Sequence, residues 1–175
     1  MKSSLSGLFF ANVMATANKN LSDFDYSQAP SAKDMKIGVV VADWNEQITE
    51  RLYQGAMEVL NTCGCIHVIR KDVPGSFELA LGAQFLLEYT DVDAVICLGS
   101  VIQGETKHFD FVCEGTALGI KDVALKYNKA VIFGVLTDEN IQQAIDRSGG
   151  KHGNKGNEAA ITAIKMVALQ KELQK

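Results

Sequence analysis

The sequence predicts an α/β fold built on a parallel sheet, and two observations support this class. Short apolar runs rich in β-branched residues, which are typical of buried parallel strands, occur four times along the chain. Each run is followed by a longer segment with helical periodicity. Alternating strands and helices imply right-handed crossovers that place helices on both faces of one sheet. We therefore predict four parallel strands between two layers of helices.

The first half of the chain contains two predicted strands and two predicted helices. In chain order they are a strand Lys36–Ala42, a helix Glu46–Thr62, a strand Ile66–Val73 and a helix Ser76–Tyr89. The sequence Cys63-Gly64-Cys65 ends the first helix, and Pro74-Gly75 ends the second strand. Ser76 is a residue type that favours the N-cap position, so we expect it to cap the second helix.

The second half repeats this alternation and adds one short helix. The predicted elements are a strand Asp93–Ser100, a helix His108–Tyr127, a strand Ala130–Leu136, a short helix ending at Arg147, a loop Gly149–Gly156 and a helix Asn157–Leu173. Thr137 or Asp138 is expected to cap the short helix. Five apolar residues lie roughly on one face of the long helix: Phe111, Val112, Leu118, Val123 and Leu125. These elements favour a three-layer α/β/α sandwich of flavodoxin-like architecture with four parallel strands.

Length and composition indicate one globular domain. The 175 residues, 47% hydrophobic and 22% charged, suffice for a sizeable core. A net charge of −4 does not favour nucleic acid as a partner, and no apolar run approaches the ~20 residues that span a bilayer. The cysteines lack zinc-like spacing, so we expect no metal site, and free buried thiols in a reducing, cytoplasmic compartment. They are Cys63, Cys65, Cys97 and Cys113.

Residues 1–34 are predicted to form a flexible N-terminal arm, and residues 35–175 a single α/β domain. The beginning of the arm faintly resembles a secretory signal peptide, but its apolar segment is short and is interrupted by Asn12. We therefore expect no export, and Met14 remains an alternative start. The polar residues that follow, with Pro30, favour an arm that docks on a neighbouring molecule.

The candidate site centres on Gly99–Asp110, which joins the third strand to the long helix. A glycine-bearing turn at a helix start presents backbone N–H groups and the positive end of the helix dipole, which together favour an anion. His108 lies in the same turn, and histidine is the side chain that exchanges protons most readily near neutral pH. The turn approaches a nucleotide P-loop, but Glu105 stands where that loop needs a lysine, which argues against ATP or GTP. Alone, His108 is also compatible with a capping or surface role.

Distinctive residues also follow the other strands, and the carboxyl ends of parallel strands meet at one edge of a sheet. Trp44-Asn45 follows the first strand and Gly75–Glu78 the second, while Phe133 lies within the fourth, with Arg147 and Lys155 further along. Each has a structural explanation if taken singly. Together, aromatic, amide, carboxylate, imidazole and cationic groups predict a site for a flat polar ring beside a phosphate.

Four ordered motifs then identify a family resemblance. They are Val73-Pro-Gly-Ser-Phe-Glu-Leu79, Gly99-x-Val-Ile-x-Gly-x-Thr-x-His-Phe-Asp110, Phe133-Gly-Val-Leu-Thr137, and Arg147 with Gly153-Asn-Lys-Gly156. Over residues 36 to about 170 the chain resembles the 6,7-dimethyl-8-ribityllumazine synthase family, transferases of riboflavin biosynthesis. Two departures are small: Trp44 stands where Phe is often found, and Ala80 where Pro is frequent.

The resemblance implies a reaction and a set of roles. The reaction is condensation of 5-amino-6-(D-ribitylamino)uracil with 3,4-dihydroxy-2-butanone 4-phosphate, releasing phosphate and water, with no cofactor or metal. His108 is implied as the proton-transfer residue, and Glu105, Thr106 and Arg147 as phosphate-binding residues. The residues implied on the pyrimidine and ribityl side are Trp44, Asn45, Ser76, Phe77, Glu78, Ser100, Val101, Ile102, Phe133 and Lys155.

The resemblance also implies partners. Family members are homo-oligomers, namely pentamers with sites shared between neighbouring subunits, some of which stack into icosahedral shells. Riboflavin synthase is a candidate partner, whereas nucleic acid and membranes are not expected. An alternative function is that of a non-catalytic flavin- or lumazine-binding relative, which would keep the pocket and lack turnover. The presence of both His108 and Arg147 beside Trp44 favours the enzyme.

Overall fold

The computed structural model describes Asp25 and residues 28–174, and a four-stranded parallel sheet lies at their centre. The strand order is β2-β1-β3-β4, and all neighbouring strands pair in parallel. The strands are β1 Lys36–Ala42, β2 His67–Val73, β3 Ala94–Ile102 and β4 Ala130–Asp138. The predicted class, four parallel strands in an α/β/α sandwich, is confirmed.

Helices cover both faces of this sheet, with α1 and α5 on one face and α2 and α3 on the other. They are α1 Glu46–Thr62, α2 Leu79–Tyr89, α3 His108–Tyr127, α4 Ile141–Arg147 and α5 Lys155–Leu173. A 3-10 turn, Ser76–Glu78, precedes α2, and an antiparallel hairpin of β5 Ser148–Gly150 and β6 Gly153–Asn154 precedes α5. The bounds of β1, α1 and α3 are those predicted from the sequence.

The core consists of two apolar layers, one on each side of the sheet. Because side chains alternate along a strand, β1 contributes Val39 and Val41 to the layer under α1 and α5, and Val40 to the layer under α2 and α3. Leu52 of α1 and Ile164 of α5 are fully buried in the first layer. Burying each such side chain contributes about 1.5–3 kcal/mol, so these two layers hold the sandwich together.

The backbones of α1 and α5 touch at Gly156. A Cβ atom at this position would lie 1.8 Å from the carbonyl oxygen of Leu52, a distance that no side chain can occupy. Glycine at the start of α5 therefore sets how closely the two helices pack. Asn154 completes the junction, since its side-chain amide donates to the carbonyl oxygen of Arg51 at 2.9 Å.

Two helix starts differ from the predicted ones on the second half of the chain. Asn140, rather than Thr137 or Asp138, caps α4, and its side-chain oxygen accepts the N–H of Gln143 at 3.0 Å. Asn154 caps α5 in the same way, so this helix begins at Lys155. The predicted loop Gly149–Gly156 is therefore shorter than expected, and it is mostly the β5–β6 hairpin.

The predicted N-cap of the second helix is also wrong. Ser76 is the first residue of the 3-10 turn, Gly75 occupies its N-cap position, and no side chain caps it. The α-helix itself begins three residues later, at Leu79. The short turn displaces the start of the helix because Ser76 packs inward, where only 5% of it is exposed.

Strands β3 and β4 are longer than predicted at their carboxyl ends. The register pairs Ser100 with Leu136 and Ile102 with Asp138, so both strands continue past the predicted ends. Gly99, the first residue of the candidate segment Gly99–Asp110, lies inside the strand opposite Val135. Inter-strand pairing, which is not visible in local sequence, carries both strands to the site.

The apolar face predicted for α3 is mostly not the face that the protein buries. The buried residues of this helix are Thr116, Ile120 and Val123, of which only Val123 belongs to the predicted apolar face. Phe111, Leu118 and Leu125 are exposed by 70%, 48% and 74%. These three lie seven residues apart and form a row, which we call the α3 row, that no other part of the described residues 28–174 covers.

The packing of the N-terminal side begins within the residues assigned to the arm. Ala32 is fully buried, and its N–H donates to the carbonyl oxygen of Cys63 at 2.8 Å. The predictions for the signal-like segment and for Met14 lie outside the described residues. Within those residues, no helix is both long and apolar enough to cross a membrane.

The four cysteines are free, as predicted, but they differ in burial. Cys65 and Cys97 are buried, whereas Cys63 and Cys113 are partly exposed. Burial raises the pKa of the Cys97 thiol most strongly, because the surrounding core disfavours the thiolate.

Candidate active site

A cavity of about 730 Å³ opens beside the carboxyl ends of β1, β2 and β3. Its volume falls in the range of about 300–1,000 Å³ that is usual for small-molecule sites. The walls come from the turns after β1 and β2, the end of β3 and the first turns of α3. Ten of the predicted site residues line it: Trp44, Asn45, Ser76, Phe77, Glu78, Ser100, Val101, Ile102, Thr106 and His108.

The turn after β1 is held by hydrogen bonds to two other strand ends. The N–H of Trp44 donates to the carbonyl oxygen of Pro74 at 3.3 Å, and the Asn45 side-chain amide donates to that of Ser100 at 2.8 Å. Asn45 adopts a left-handed conformation with φ 64°, which turns the chain sharply into α1. The backbone of Trp44 is thereby positioned while 73% of the residue stays exposed at the cavity. An exposed, positioned indole is well suited to stack on a flat ring.

The 3-10 turn after β2 forms the opposite wall and rests on α3. The hydroxyl of Thr116 donates to the carbonyl oxygen of Ser76 at 3.1 Å, inside the protein. The ring of Phe77 lies directly on Gly115, where a Cβ atom would be 2.6 Å from the ring. Close approach at Gly115 therefore positions Phe77, which remains 59% exposed at the cavity.

Ser100 contributes an unsatisfied polar group at the end of β3. The residue is 1% exposed, and its hydroxyl has no hydrogen-bond partner among the described residues. A buried hydroxyl without a partner costs about 1–3 kcal/mol. Such a group at the wall of a cavity is more readily understood where a bound molecule supplies the missing partner.

The N-terminus of α3 lies at the cavity, at the place where the sequence predicts an anion-binding element. His108 is the first residue of α3, and Lys107 occupies the N-cap position without a side-chain cap. The N–H of His108 makes only a long bond, 3.4 Å, to the hydroxyl oxygen of Thr106. Uncapped N–H groups at the positive end of a 20-residue helix favour a phosphate or carboxylate.

Arg147 lies beside this cavity rather than in its wall. It ends α4, and its Nε is 3.6 Å from Oδ1 of Asp138, the last residue of β4. Asp138 pairs in register with Ile102, which lines the cavity. Burial raises the pKa of the Asp138 carboxyl, and the charge of Arg147 partly opposes this shift. The guanidinium is therefore on the β4 side of the site and half-exposed.

Glu105, Phe133 and Lys155 are likewise not part of the wall of this cavity. Glu105 lies in the loop between Gly104 and Thr106, both of which line it. Phe133 pairs with Cys97 in the middle of β4, five residues before that strand ends, and is 36% exposed. The Lys155 ammonium pairs with Glu158 at 2.7 Å at the start of α5. A single chain does not bring these three side chains into one cavity wall, and their substrate-binding roles stay predictions.

Three wall residues of α3 were missed as site residues: Phe109, Phe111 and Val112. Phe111 and Val112 were predicted only as part of the apolar face of α3. The signal that could have placed them is their spacing, since residues three and four positions after His108 share its side of a helix.

A protein-family model described as 6,7-dimethyl-8-ribityllumazine synthase matches residues 34–171. The chain belongs to this family. The predicted resemblance to 6,7-dimethyl-8-ribityllumazine synthases is thus confirmed, and the match includes all the residues that line the cavity.

Individual 6,7-dimethyl-8-ribityllumazine synthases are similar over most of their length. The one from Cytophaga hutchinsonii is 59% identical over 157 residues, which cover 89% of this chain and 98% of that protein. The one from Flavobacterium johnsoniae is 58% identical over 161 residues, covering 91% and 85%. The one from Parabacteroides distasonis is 52% identical over 156 residues, covering 88% and 98%.

Within the described part of the chain, no three His, Cys, Asp or Glu side chains group to hold a metal ion.

Proposed function

We propose that this chain condenses 5-amino-6-(D-ribitylamino)uracil with 3,4-dihydroxy-2-butanone 4-phosphate to give 6,7-dimethyl-8-ribityllumazine, phosphate and water. One observation carries the proposal: a single cavity combines the exposed ring of Trp44, the turn Ser76–Glu78 and His108 at an uncapped helix N-terminus. Stacking, hydrogen bonding and anion binding are the three interactions that this pair of substrates requires. Membership in the 6,7-dimethyl-8-ribityllumazine synthase family supports the same reaction.

The pyrimidine is assigned to the side of the cavity between the turns after β1 and β2. Trp44 stacks on the ring, with Phe77 and the β3 residues Val101 and Ile102 as further walls. The carboxylate of Glu78 accepts hydrogen bonds from N–H or hydroxyl groups, and the hydroxyl of Ser100 gains a partner. Asn45, Ser76 and the ribityl chain complete this side.

The phosphate is assigned to the N-terminus of α3. Backbone N–H groups of Glu105 and Thr106 approach it, and the helix dipole favours its charge. Arg147 reaches in from the β4 side, and its planar guanidinium binds a phosphate through two parallel hydrogen bonds, as lysine cannot.

The chemistry consists of a series of proton-coupled changes. The amine attacks the ketone with loss of one water, phosphate is eliminated, and the second ring closes with loss of a second water. His108 is adjacent to both assigned subsites and moves protons in these steps, a role that typically contributes ~10²–10⁴-fold. Holding the two substrates together supplies much of the remaining acceleration.

We propose further that the site is completed by a neighbouring copy in a homopentamer. The α3 row of Phe111, Leu118 and Leu125 is apolar and exposed, and the partly exposed Phe133 lies on the edge strand. Apolar surface of this kind marks interaction sites. In this arrangement Phe133 and Lys155 act in the site of a neighbouring chain, and the part of the arm (residues 1–34) that precedes the buried Ala32 docks on that neighbour. A cytoplasmic location, an assembly that is either a pentamer or an icosahedral shell of pentamers, and riboflavin synthase as a partner belong to the same proposal.

The first experiment tests turnover directly. The purified chain is mixed with both substrates, and formation of the fluorescent lumazine is followed. A non-catalytic lumazine- or flavin-binding relative would bind the pyrimidine and form no product, so absence of product would overturn the proposal.

The same assay tests the role of His108. His108→Ala is expected to lower kcat by ~10²-fold or more while both KM values change little. Unchanged turnover would reduce His108 to a capping residue.

The second experiment tests the phosphate subsite. Arg147→Lys keeps the charge but loses the paired hydrogen bonds, so the KM of the phosphate-bearing substrate should rise far more than that of the pyrimidine. Equal increases would reject the assignment.

Sedimentation of the same samples measures the mass of the assembly, and a monomer with full activity would exclude the shared site.

A further inference from the structure

Asp138 is a buried carboxylate to which the proposed reaction assigns no task. Its side chain is 6% exposed, whereas that of Arg147, its ionic neighbour, is 54% exposed. Aspartates are almost never this deeply buried unless they are paired. Burial also raises the pKa of this carboxyl, which means that the site disfavours the charge it carries. A residue that is costly to bury, beside the arginine assigned to the phosphate, calls for a functional explanation.

The contact between Asp138 and Arg147 is one-sided. Oδ1 lies 3.6 Å from Nε of the guanidinium, longer than the 2.7–3.2 Å of a hydrogen bond. Oδ2 is buried and has no hydrogen-bond partner among the described residues. The carboxylate thus approaches the inner nitrogen of the arginine. The terminal nitrogens Nη1 and Nη2 are not the atoms of this pair, and they remain for a second anion.

The backbone of Asp138 is fixed more firmly than that of Arg147. Asp138 ends β4, pairs with Ile102 in register, and accepts the N–H of Gln103 on its carbonyl oxygen at 2.9 Å. Arg147 is the last residue of a seven-residue helix and has a long side chain with many rotamers. The sheet therefore holds the carboxylate at a set place, from which it can restrict the guanidinium.

We propose that Asp138 is a positioning residue: its carboxylate holds the guanidinium of Arg147 from the Nε side and leaves the terminal N–H groups to the phosphate of the substrate. This inference rests on the proposed function, in which Arg147 binds that phosphate. Removing the carboxylate has two opposite effects, since it frees the guanidinium to rotate and also removes a negative charge near the phosphate. Loss of orientation dominates, because a bidentate contact requires a fixed plane.

The test is Asp138→Asn in the full-length chain, with both KM values measured. The KM of the phosphate-bearing substrate is expected to rise about fivefold, the effect of a partly solvated charge pair. The KM of the pyrimidine and kcat are expected to stay within about twofold. The inhibition constant of inorganic phosphate, used as a competitive inhibitor, should rise by the same factor. An unchanged or lower KM for the phosphate-bearing substrate, or equal increases for both substrates, overturns the inference.

Two variants serve as controls. Glu139→Gln removes the same charge one residue later, from an exposed side chain, and should leave both KM values unchanged. If Asp138→Asn does not fold, as judged by circular dichroism, Asp138→Thr replaces the carboxylate with a residue that favours strands and is tested against the same expectations. If Glu139→Gln also raised the KM of the phosphate-bearing substrate fivefold, loss of a negative charge anywhere near the site, and not loss of positioning, would explain the result. That outcome overturns the inference.

A double-variant cycle separates this inference from the proposed function. In an Arg147→Ala background, Asp138→Asn should change the KM of the phosphate-bearing substrate by less than about twofold, because its effect passes through the guanidinium. An undiminished effect in that background overturns the positioning role. If Arg147→Ala alone leaves this KM unchanged, the phosphate subsite of the proposed function fails. If Arg147→Ala raises it and Asp138→Asn does not, only the inference fails.

Discussion

The contact of Gly156 with α1 predicts that even one methyl group will separate two helices. In Gly156→Ala the new Cβ would lie 1.8 Å from the carbonyl oxygen of Leu52 and 2.7 Å from its carbonyl carbon. Ordinary van der Waals contact begins near 3.4 Å, so the oxygen must retreat by about 1.6 Å, the difference 3.4 − 1.8. The obstacle is helix backbone, which cannot rotate away as the end of a side chain can.

The expected cost follows from these distances. Overpacking costs about 1–3 kcal/mol, and the upper end applies because α1 and α5 must move apart. The better helix propensity of alanine stabilises the folded protein by up to ~1 kcal/mol and offsets part of this cost. The net loss in the free energy of unfolding is therefore about 2 kcal/mol or more. For a domain of this size it lowers Tm by about 4–8 °C.

Urea unfolding followed by circular dichroism measures this loss. Gly104→Ala is the matched control, because a Cβ there meets no heavy atom within 4 Å. Its stability should remain within about 0.5 kcal/mol of the wild-type value. If Gly156→Ala were as stable as Gly104→Ala, the two helices would not be in backbone contact.

Three further predictions concern single side chains. Trp44→Ala should weaken pyrimidine binding about tenfold, with the free energy of unfolding nearly unchanged because 73% of the residue is exposed. Since Trp44 is the only tryptophan, its fluorescence should change when the pyrimidine is titrated into the wild type, and an unchanged signal would contradict stacking. Because burial raises the pKa of Asp138 above its ordinary 3.8, the folded wild type binds this proton more tightly than the unfolded chain. The free energy of unfolding of the wild type, relative to that of Asp138→Asn, should therefore fall as the pH rises through 3.8 and above it. Urea unfolding at acidic and at neutral pH measures this difference, and a difference that does not change with pH would exclude the raised pKa. Iodoacetamide at about pH 8 should modify Cys63 well before Cys97, whose pKa burial raises strongly, and peptide mapping that shows equal rates would contradict this.

Local patterns predicted those elements whose tertiary surroundings agree with them. The apolar run of β1 and the periodicity of α1 end at turn residues that also end these elements in the structure. The cap of α4 could not be chosen in this way, because Thr137, Asp138 and Asn140 are all good caps. Pairing with β3 places Thr137 and Asp138 in β4, and this leaves Asn140 to cap the helix.

The same limit applies to the face of α3 and to part of the candidate site. Residues spaced by seven share one side of a helix, but the spacing does not say whether the sheet covers that side. Thr116 and Ile120, on another side, are the residues that packing buries. Ten of the residues that line the cavity were predictable because parallel strands end at one edge. Phe133 was predicted as a site residue but does not line the cavity of this chain, since it lies in the middle of its strand.

Helix α3 connects two parts of the cavity wall. It has 20 residues and is therefore about 30 Å long; its first residue is His108, and seven and eight residues later Gly115 and Thr116 support the turn that carries Phe77. A tilt of α3 as one body would shift the imidazole and the aromatic wall together, each in proportion to its distance from the pivot. A contact that moves this helix would therefore change the shape of the cavity.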